Sequence, residues 1–235
     1  MTRLDPTVPQ ISSRQPAYRE SISPDRADSI VYHGERFNSS THLVGAALAV
    51  TGSTVLITRA ALGGDPWKIV SFSVFGTMLV LLYVVSTLYH SIRPQRAKAL
   101  FRRLDHAAIY LLIAGSYTPF MLVTLRGALG WTILVVIWAM AVYGVGRVFR
   151  HPFDKDPSVW PYLLMGWLGV SAAVPLASHL GAGGITWLAA GGLLYTAGIL
   201  FFLNDTRWRH AHGIWHLFVV GGSTAHFFAV LHYVA

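Results

Sequence analysis

Two histidines near the end of the chain, His212 and His216, lie four residues apart in the apolar segment HGIWHLFVVGGSTAHFFAVLHYV, residues 212–234. If this segment is helical, four residues make about one turn, so both imidazoles leave the same face of the helix. Imidazoles at such a spacing can bind one metal ion together. The pattern therefore predicts part of a metal site, whose remaining ligands must come from other elements.

The composition indicates that most of the chain lies in a membrane. Of its 235 residues, 54% are hydrophobic and only 12% are charged, and the mean hydropathy is +0.50; a soluble domain has about 25% charged residues. Several apolar stretches each approach the roughly 20 residues that cross a bilayer as a helix. We predict seven such helices, over residues 42–61, 69–90, 104–125, 130–149, 160–180, 185–203 and 212–234.

The predicted fold is therefore all-α, a polytopic seven-transmembrane helix bundle that forms one domain over residues 33–235. Residues 1–32 are rich in Pro, Ser and Arg and contain no apolar run, which predicts a mobile cytoplasmic tail. Within the third helix, Gly115 and Pro119 are expected to cause a bend, and neighbouring helices can satisfy the backbone groups that it frees.

The Lys and Arg residues predict the orientation, because these residues collect on cytoplasmic loops. Of the 18 in the chain, only Arg59, Lys68 and Arg126 fall on the loops of one side. The N-terminus is therefore predicted to be cytoplasmic and the C-terminus external, in a multi-pass protein of the cell membrane. Anionic inner-leaflet lipids at the basic loops explain the net charge of +8. No nucleic-acid recognition motif accompanies that charge.

This topology brings four potential metal ligands to one depth beside the inner leaflet. His90 ends the second helix, Asp105 begins the third, and His212 and His216 begin the seventh. Three imidazoles and a carboxylate are the ligand chemistry of a catalytic zinc site, and the chain has no cysteine that could supply a thiolate. We therefore predict that these four residues bind Zn²⁺.

Two other interpretations of the histidines remain open. Each could be a core residue whose hydrogen bonds are satisfied by neighbours. A haem is the other possible metal group: residues one turn apart on a helix cannot reach opposite faces of a porphyrin, but His90 with either of the other two could. An ionisable group inside the bilayer is costly without a partner or a function, which favours a metal.

Further polar residues are expected around the ligands. Ser86 lies one turn before His90 on the same face of the second helix, and Glu35, Asn38 and His42 follow a helical spacing at the start of the first helix. Groups of this kind orient metal ligands by hydrogen bonding. Capping and helix packing are the alternative roles for Glu35 and Asn38.

These segments resemble the hemolysin III family, within the wider group of progestin and adipoQ receptors, whose relatives include the alkaline ceramidases. The matching motifs are GERFNSSTHLVG at 34–45, STLYHS at 86–91, LDHAAIYLLIAGSYTPF at 104–120 and HGIWHLFVVGGSTAHF at 212–227. The resemblance implies a seven-helix bundle with an intracellular zinc held by His90, His212 and His216. It also implies that Asp105 touches the metal, directly or through water.

The resemblance also implies two classes of function. In the first, zinc activates water, Asp105 accepts a proton, and Ser86 hydrogen-bonds the oxyanion or orients Asp105. A zinc-dependent hydrolase at this depth would act on an amide or ester of a membrane lipid. In the second, the zinc is structural and the protein senses or modulates lipid state. A pore-forming toxin is less favoured, since a multi-pass membrane protein has no soluble form to release.

Three other histidines are expected to stay out of the metal site. His226 lies ten residues beyond His216, about 15 Å along a helix, so it cannot share the metal and is predicted to be an interior hydrogen-bonding group. His106 and His210 are expected near the inner interface, close to the ligands but not among them.

Overall fold

A computed structural model describes residues 24–150 and 158–235, with the side chains of the first helix described from residue 34. These residues form an all-helical bundle, which confirms the all-α part of the predicted fold. The helices are α1 (Pro24–Gly63), α2 (Pro66–Ser91), α3 (Gln95–Pro119), α4 (Ala128–Arg150), α5 (Trp160–Trp167), α6 (Ala173–Phe202) and α7 (Ala211–Tyr233). A π-helical turn, Phe120–Thr124, continues α3, and a 3-10 segment, Leu168–Ala172, joins α5 to α6.

Six helical stretches within the described residues are long and apolar enough to cross a membrane. The chain is therefore a polytopic helical membrane protein. The predicted fifth and sixth helices both fall in one of these stretches, Trp160–Phe202, which is 43 residues long. The backbone leaves helical geometry inside it at Gly181 (φ 64°, ψ −176°), a conformation that glycine adopts easily because it has no Cβ.

Helix α1 begins well before the predicted residue 42. It covers 40 residues from Pro24, so the polar run NSST at 38–41 lies inside the helix. Its side chains find partners without breaking the helix, since the Thr41 hydroxyl donates to the Asn38 carbonyl oxygen at 2.8 Å. Residues 24–32 of the predicted tail belong to α1, whereas residues 1–23 lie outside the described part of the chain. The mobility of the tail stays a prediction.

A tight turn joins α1 to α2 and makes them antiparallel neighbours. Gly64 takes positive φ (68°), and the Asp65 carboxylate accepts from the backbone N–H groups of Trp67 (2.9 Å) and Lys68 (3.4 Å) at the start of α2. Such a carboxylate satisfies N–H groups that have no partner within the helix. The turn sends α2 back along α1, which brings His90 beside Glu35 at the opposite end.

The helix α3 departs from α geometry where a bend is predicted. Pro119 ends its α-helical part, and the π-helical turn begins at the next residue. Proline cannot donate to the helix, and a neighbouring helix makes a polar contact there: the Trp138 indole N–H of α4 donates to the Thr118 hydroxyl at 3.3 Å. Asp105, in the first half of α3, is one of its buried residues.

The main core of the bundle combines buried apolar residues from α1, α2, α3, α4, α6 and α7. Phe72, Phe75 and Leu56 are almost completely buried there. Helix α2 packs closely on α1 and α3, and α7 packs on α6 and α1. Contacts between α2 and α7 are consequently made by long side chains, and the candidate metal centre is one of the places where these two helices meet.

Candidate metal centre

Three imidazoles from α2 and α7 come together at the end of the bundle where α2 ends and α7 begins. One ring nitrogen from each of His90, His212 and His216 lies within 4.8 Å of the other two. The ring centroids are 5.1 Å apart for His90 with either partner and 4.8 Å for the pair on α7. His90 and His216 are buried, whereas the His212 side chain is 23% exposed. The three residues could hold one metal ion.

A hydrogen bond at Nδ1 fixes each of these rings. His90 Nδ1 donates to the Glu35 carboxylate at 2.7 Å and His212 Nδ1 donates to Asp205 at 3.1 Å. His216 Nδ1 donates to the backbone carbonyl oxygen of Asn38 at 3.1 Å. Because these partners accept hydrogen bonds, each neutral imidazole carries its proton on Nδ1 and presents the lone pair of Nε2.

The three Nε2 atoms are buried and have no hydrogen-bond partner among the described residues. A buried acceptor without a partner costs on the order of 1–3 kcal/mol. One cation bound between the three imidazoles would satisfy all three atoms. Neutral Nε2 atoms backed by carboxylates or carbonyl groups at Nδ1 are the donor set of histidine metal sites, so the residues fit a metal ion.

Asp105 lies beside this cluster without belonging to it. The carboxyl group comes from α3, is almost completely buried (4% exposed), and lies near His212. The group of mutually close ligand atoms comprises the three imidazoles. A direct bond from Asp105 to a metal thus stays a prediction, while its place next to the cluster is an observation.

Ser86 lies one turn before His90 and is fully buried (0% exposed). Its hydroxyl is next to the Asp105 carboxyl group, but no hydrogen bond of good geometry engages its oxygen among the described residues. The hydroxyl is therefore available to donate to Asp105 or to a ligand beside it.

Helix α1 contributes three predicted residues that contact the imidazole cluster, each in a different way: Glu35, Asn38 and His42. Glu35 bridges His90 and α3, since its other oxygen accepts from Lys98 Nζ at 2.8 Å. Asn38 contributes its backbone carbonyl group to His216. His42 stacks on His216 with ring centroids 3.5 Å apart and an interplanar angle of 13°, and both its ring nitrogens lack partners within the described residues.

The sequence pattern missed three residues that contact the cluster or its partners. Asp205 lies in the turn before α7, seven residues before His212. Because this turn is not part of the helix, the spacing does not predict that the two side chains meet. The Thr41 hydroxyl lies 3.1 Å from His216 Nδ1, and Lys98 was considered only for its contribution to topology. Of these three residues, only Thr41 could have been identified from the sequence, because it follows Asn38 at a helical spacing of three residues.

The other histidines whose side chains the structure describes lie outside the three-residue cluster. His226 packs against Gly191 of α6, where a Cβ would collide with its ring, and against Tyr195 at 5.5 Å. His210 precedes α7 with φ 64°, and its ring contacts Phe37 at 5.7 Å. His106 lines the cavity described next.

A cavity of about 880 Å³ leads to the cluster from this end of the bundle. It reaches two of the three imidazoles, His90 and His212, as well as Asp105. Its walls are both polar and aromatic, and include Glu35, Asn38, Lys98, Arg102, His106, Asp205, Tyr89, Trp160, Phe202 and Trp215. A substrate could thus approach the imidazoles and the carboxylate of Asp105 together.

We expect the replacement Glu35→Gln to weaken metal binding about tenfold, at the low end of the effect of residues that support a metal ligand. The amide oxygen still accepts from His90 but carries no charge, and Lys98 loses its ion pair. Competition with a chelator of known affinity measures the change. Asp65→Asn is the matched control, because it makes the same chemical change at the far end of α2 and keeps a good helix cap; equal affinities of the two variants would contradict the role of Glu35.

The fold and the site define a polytopic helical membrane protein with a three-histidine cluster that could hold a metal ion. Residues 30–227 match the model of the family described as Haemolysin-III related. The chain is 46% identical over 200 residues to Hemolysin-3 of Bacillus cereus, covering 84% of this chain and 90% of that protein. It is 45% identical over 199 residues to the Hemolysin-3 homolog of Bacillus subtilis (83% and 92%).

A human protein, Monocyte to macrophage differentiation factor, is 32% identical over 203 residues, or 84% of this chain and 83% of that protein. The chain therefore belongs to the hemolysin III family, within the progestin and adipoQ receptor superfamily, as the motifs predicted. It is a multi-pass protein of the cell membrane.

Proposed function

We propose that the protein is a zinc-dependent hydrolase that cleaves an amide or ester bond of a membrane lipid at the inner leaflet. The observation that carries the proposal is the set of three buried Nε2 atoms without partners among the described residues, next to a buried carboxylate that lines the same cavity. Zinc is the proposed metal because neutral imidazoles suit it and the chain supplies no thiolate.

The residues have distinct roles in this proposal. His90, His212 and His216 would hold the ion, with Asp105 touching it directly or through water, and zinc bound there would supply a Lewis acid that polarises a carbonyl group and activates water. Asp105 accepts a proton at a carboxylate oxygen. The other two carboxylates at the cluster, Glu35 and Asp205, already accept hydrogen bonds from imidazole N–H groups. Ser86 donates to Asp105 or to the developing oxyanion.

A lipid substrate is proposed from the location and lining of the cavity. The cavity lies at the end of an apolar bundle, and its wall combines aromatic side chains such as Trp160 and Trp215 with charged groups such as Lys98. Amphipathic molecules at the membrane surface match that mixture. The basic residues at the same end are proposed to contact anionic inner-leaflet lipids. No role in nucleic-acid binding is proposed.

The proposal is tested with purified protein in nanodiscs and a panel of lipid amides and esters. Release of fatty acid is measured before and after the metal is removed with a chelator, and again after zinc is restored. Release that requires zinc supports the hydrolase. Zinc binding without any release from the panel would favour a structural zinc in a protein that senses lipid state.

We also propose that the chain crosses the membrane seven times with the N-terminus inside. The stretch Trp160–Phe202 has 43 residues, about twice the roughly 20 that one crossing needs, and its helical geometry breaks at Gly181 near its middle. The distribution of Lys and Arg favours a cytoplasmic N-terminus.

The topology is tested by reporters fused after Ala235. With seven spans, a reporter that is active only outside the cytoplasm is expected to work there, and a reporter that fluoresces only in the cytoplasm is expected to be dark. Fusions in the loop after Ser91 serve as controls and should give the opposite pattern. A bright cytoplasmic reporter after Ala235 would contradict seven spans with a cytoplasmic N-terminus and would remove the argument for the inner leaflet.

A further inference from the structure

A hydrogen-bonded group of three side chains lies deeper in the bundle than the imidazole cluster. The Tyr83 hydroxyl of α2 donates to Ser223 Oγ of α7 at 2.7 Å, and the Tyr195 hydroxyl of α6 lies 2.8 Å from the same oxygen. Tyr83 and Ser223 are buried (2% and 5% exposed). The group links α2, α6 and α7 at one point in the apolar interior.

The positions of this group along the helices relate it to the metal centre. Tyr83 precedes His90 by seven residues on α2, and Ser223 follows His216 by seven residues on α7. Seven residues are two helical turns, about 10.5 Å with a drift of only about 20°, so each pair shares one face of its helix. Because α2 and α7 run in opposite directions, the tyrosine and the serine meet at one depth, two turns below the imidazoles.

Tyr83 also supports the cluster through a second route. Its ring lies edge-on to His42 at 5.1 Å and 83°, and His42 in turn stacks flat on His216 at 3.5 Å. The Tyr83 ring is held closely, since a Cβ on Gly45 of α1 would lie only 2.7 Å from it. The Tyr83 ring thus packs against His42, and His42 in turn packs against His216. The hydroxyl holds the Tyr83 ring in this position through Ser223.

Small residues on α7 let the third member of the group approach. A Cβ on Gly222 would lie 2.9 Å from the Tyr195 ring, so only a glycine leaves room for the tyrosine beside Ser223. This arrangement uses one hydroxyl to join two tyrosines from different helices. Both α2 and α7 pack on α1, and the Tyr83–Ser223 bond adds a direct contact that fixes how the two helices are aligned along their length.

We infer that Tyr83 and Ser223 are positioning residues for the metal centre: their hydrogen bond sets the alignment of α2 against α7 that brings His90 onto His212 and His216. The inference rests on the proposed metal centre. Without the bond, α7 still packs on α1 and α6 but loses its direct contact with α2 at this depth, and a small displacement moves two of the three ligands together relative to the third. A variant without the bond should therefore show both a lower affinity for the metal and a changed coordination geometry around it.

The test compares Tyr83→Phe and Ser223→Ala with the wild type in nanodiscs, using zinc and cobalt as probes. Tyr83→Phe keeps the ring against His42 and removes only the hydroxyl. Each variant is expected to raise the zinc dissociation constant about tenfold, in the range found for groups that act on a metal ligand from outside. Each should also change the visible absorption spectrum of bound cobalt, which reports the geometry around the ion. The double variant should lose little more than Tyr83→Phe alone, because Tyr83→Phe already removes the bond to Ser223 and the longer one to the Val219 carbonyl oxygen (3.4 Å).

Thr224→Ala is the matched control. It removes a hydroxyl from the next residue of α7, where the side chain bonds only to its own helix, at the Val220 carbonyl oxygen (2.8 Å). Zinc affinity and the cobalt spectrum should match the wild type. The inference is overturned if Tyr83→Phe and Ser223→Ala bind zinc within twofold of the wild type with unchanged cobalt spectra, even if they melt at a lower temperature.

These measurements distinguish a failure of this inference from a failure of the proposed hydrolase. If the wild type binds zinc but releases no product from any lipid, the hydrolase fails, and the affinities of the two variants still decide the role of Tyr83 and Ser223. If the wild type binds neither zinc nor cobalt, the metal centre fails and this inference is overturned with it.

Discussion

The replacement His216→Ala is expected to abolish stoichiometric zinc binding, whereas the wild type should carry about one zinc per chain. His216 is fully buried (0% exposed), and two other side chains and the Asn38 carbonyl group surround its ring. Its loss removes one of the three ligands of the cluster. The loss of affinity should exceed the roughly 100-fold upper range for groups outside the ligand set.

Elemental analysis of purified protein measures this, with His226→Ala as the matched control. Both residues are histidines of α7, but His226 lies ten residues further along and outside the cluster. Its variant should keep the full zinc content. Full zinc content in His216→Ala, or loss of zinc in His226→Ala, would contradict the three-histidine centre.

The pairing of His212 with His216 could be predicted because helical geometry alone determines it. Four residues on one helix place two side chains together whatever the rest of the fold does. The position of His90 near them followed from topology, since the end of α2 and the start of α7 lie at the same end of an up-and-down bundle. The structure brings the three rings together, and their binding of a metal stays a prediction.

The partners of the rings were harder to predict because their contacts do not follow a helical period. Asp205 acts from an irregular turn, and Asn38 acts through its backbone, which every residue possesses and no sequence pattern marks. Glu35 was found because it lies on a helix at a regular spacing. Hydrogen bonds from loops and from the main chain depend on tertiary structure that periodicity does not describe.

The ends of the helices were likewise hard to predict from the sequence. The run 38–41 consists of residues that often lie outside helices, yet α1 continues through it because Thr41 and Asn38 bond within the helix and to His216. The interruption between the predicted fifth and sixth helices was placed within a few residues, since the glycines near 181 are a local signal of a break. Local signals predict breaks better than they predict where a long helix begins.

Asp105 is the residue that distinguishes a hydrolase from a protein with structural zinc. The imidazoles already have acceptors at Nδ1, so they can hold an ion without it. The carboxyl group is nevertheless buried beside them, at a wall of the cavity and next to the Ser86 hydroxyl. A buried carboxyl group that is not needed to fix a ligand is costly, which favours a chemical role.

We therefore expect Asp105→Asn to retain much of its zinc but to lose most of its turnover. Asparagine has nearly the same shape and keeps an acceptor for Ser86, but its amide cannot take up a proton, and a general base contributes on the order of 10² to 10⁴ in rate. Zinc content and fatty acid release are measured on the same nanodisc preparations, with Asp65→Asn as a control that makes the same change at the opposite end of α2. A structural zinc predicts another pattern, in which Asp105→Asn alters stability or lipid response while the wild type itself releases no product. Equal background release from the wild type, Asp105→Asn and His216→Ala would end the hydrolase proposal for the lipids in the panel, because the three proteins differ in the two groups that the chemistry requires.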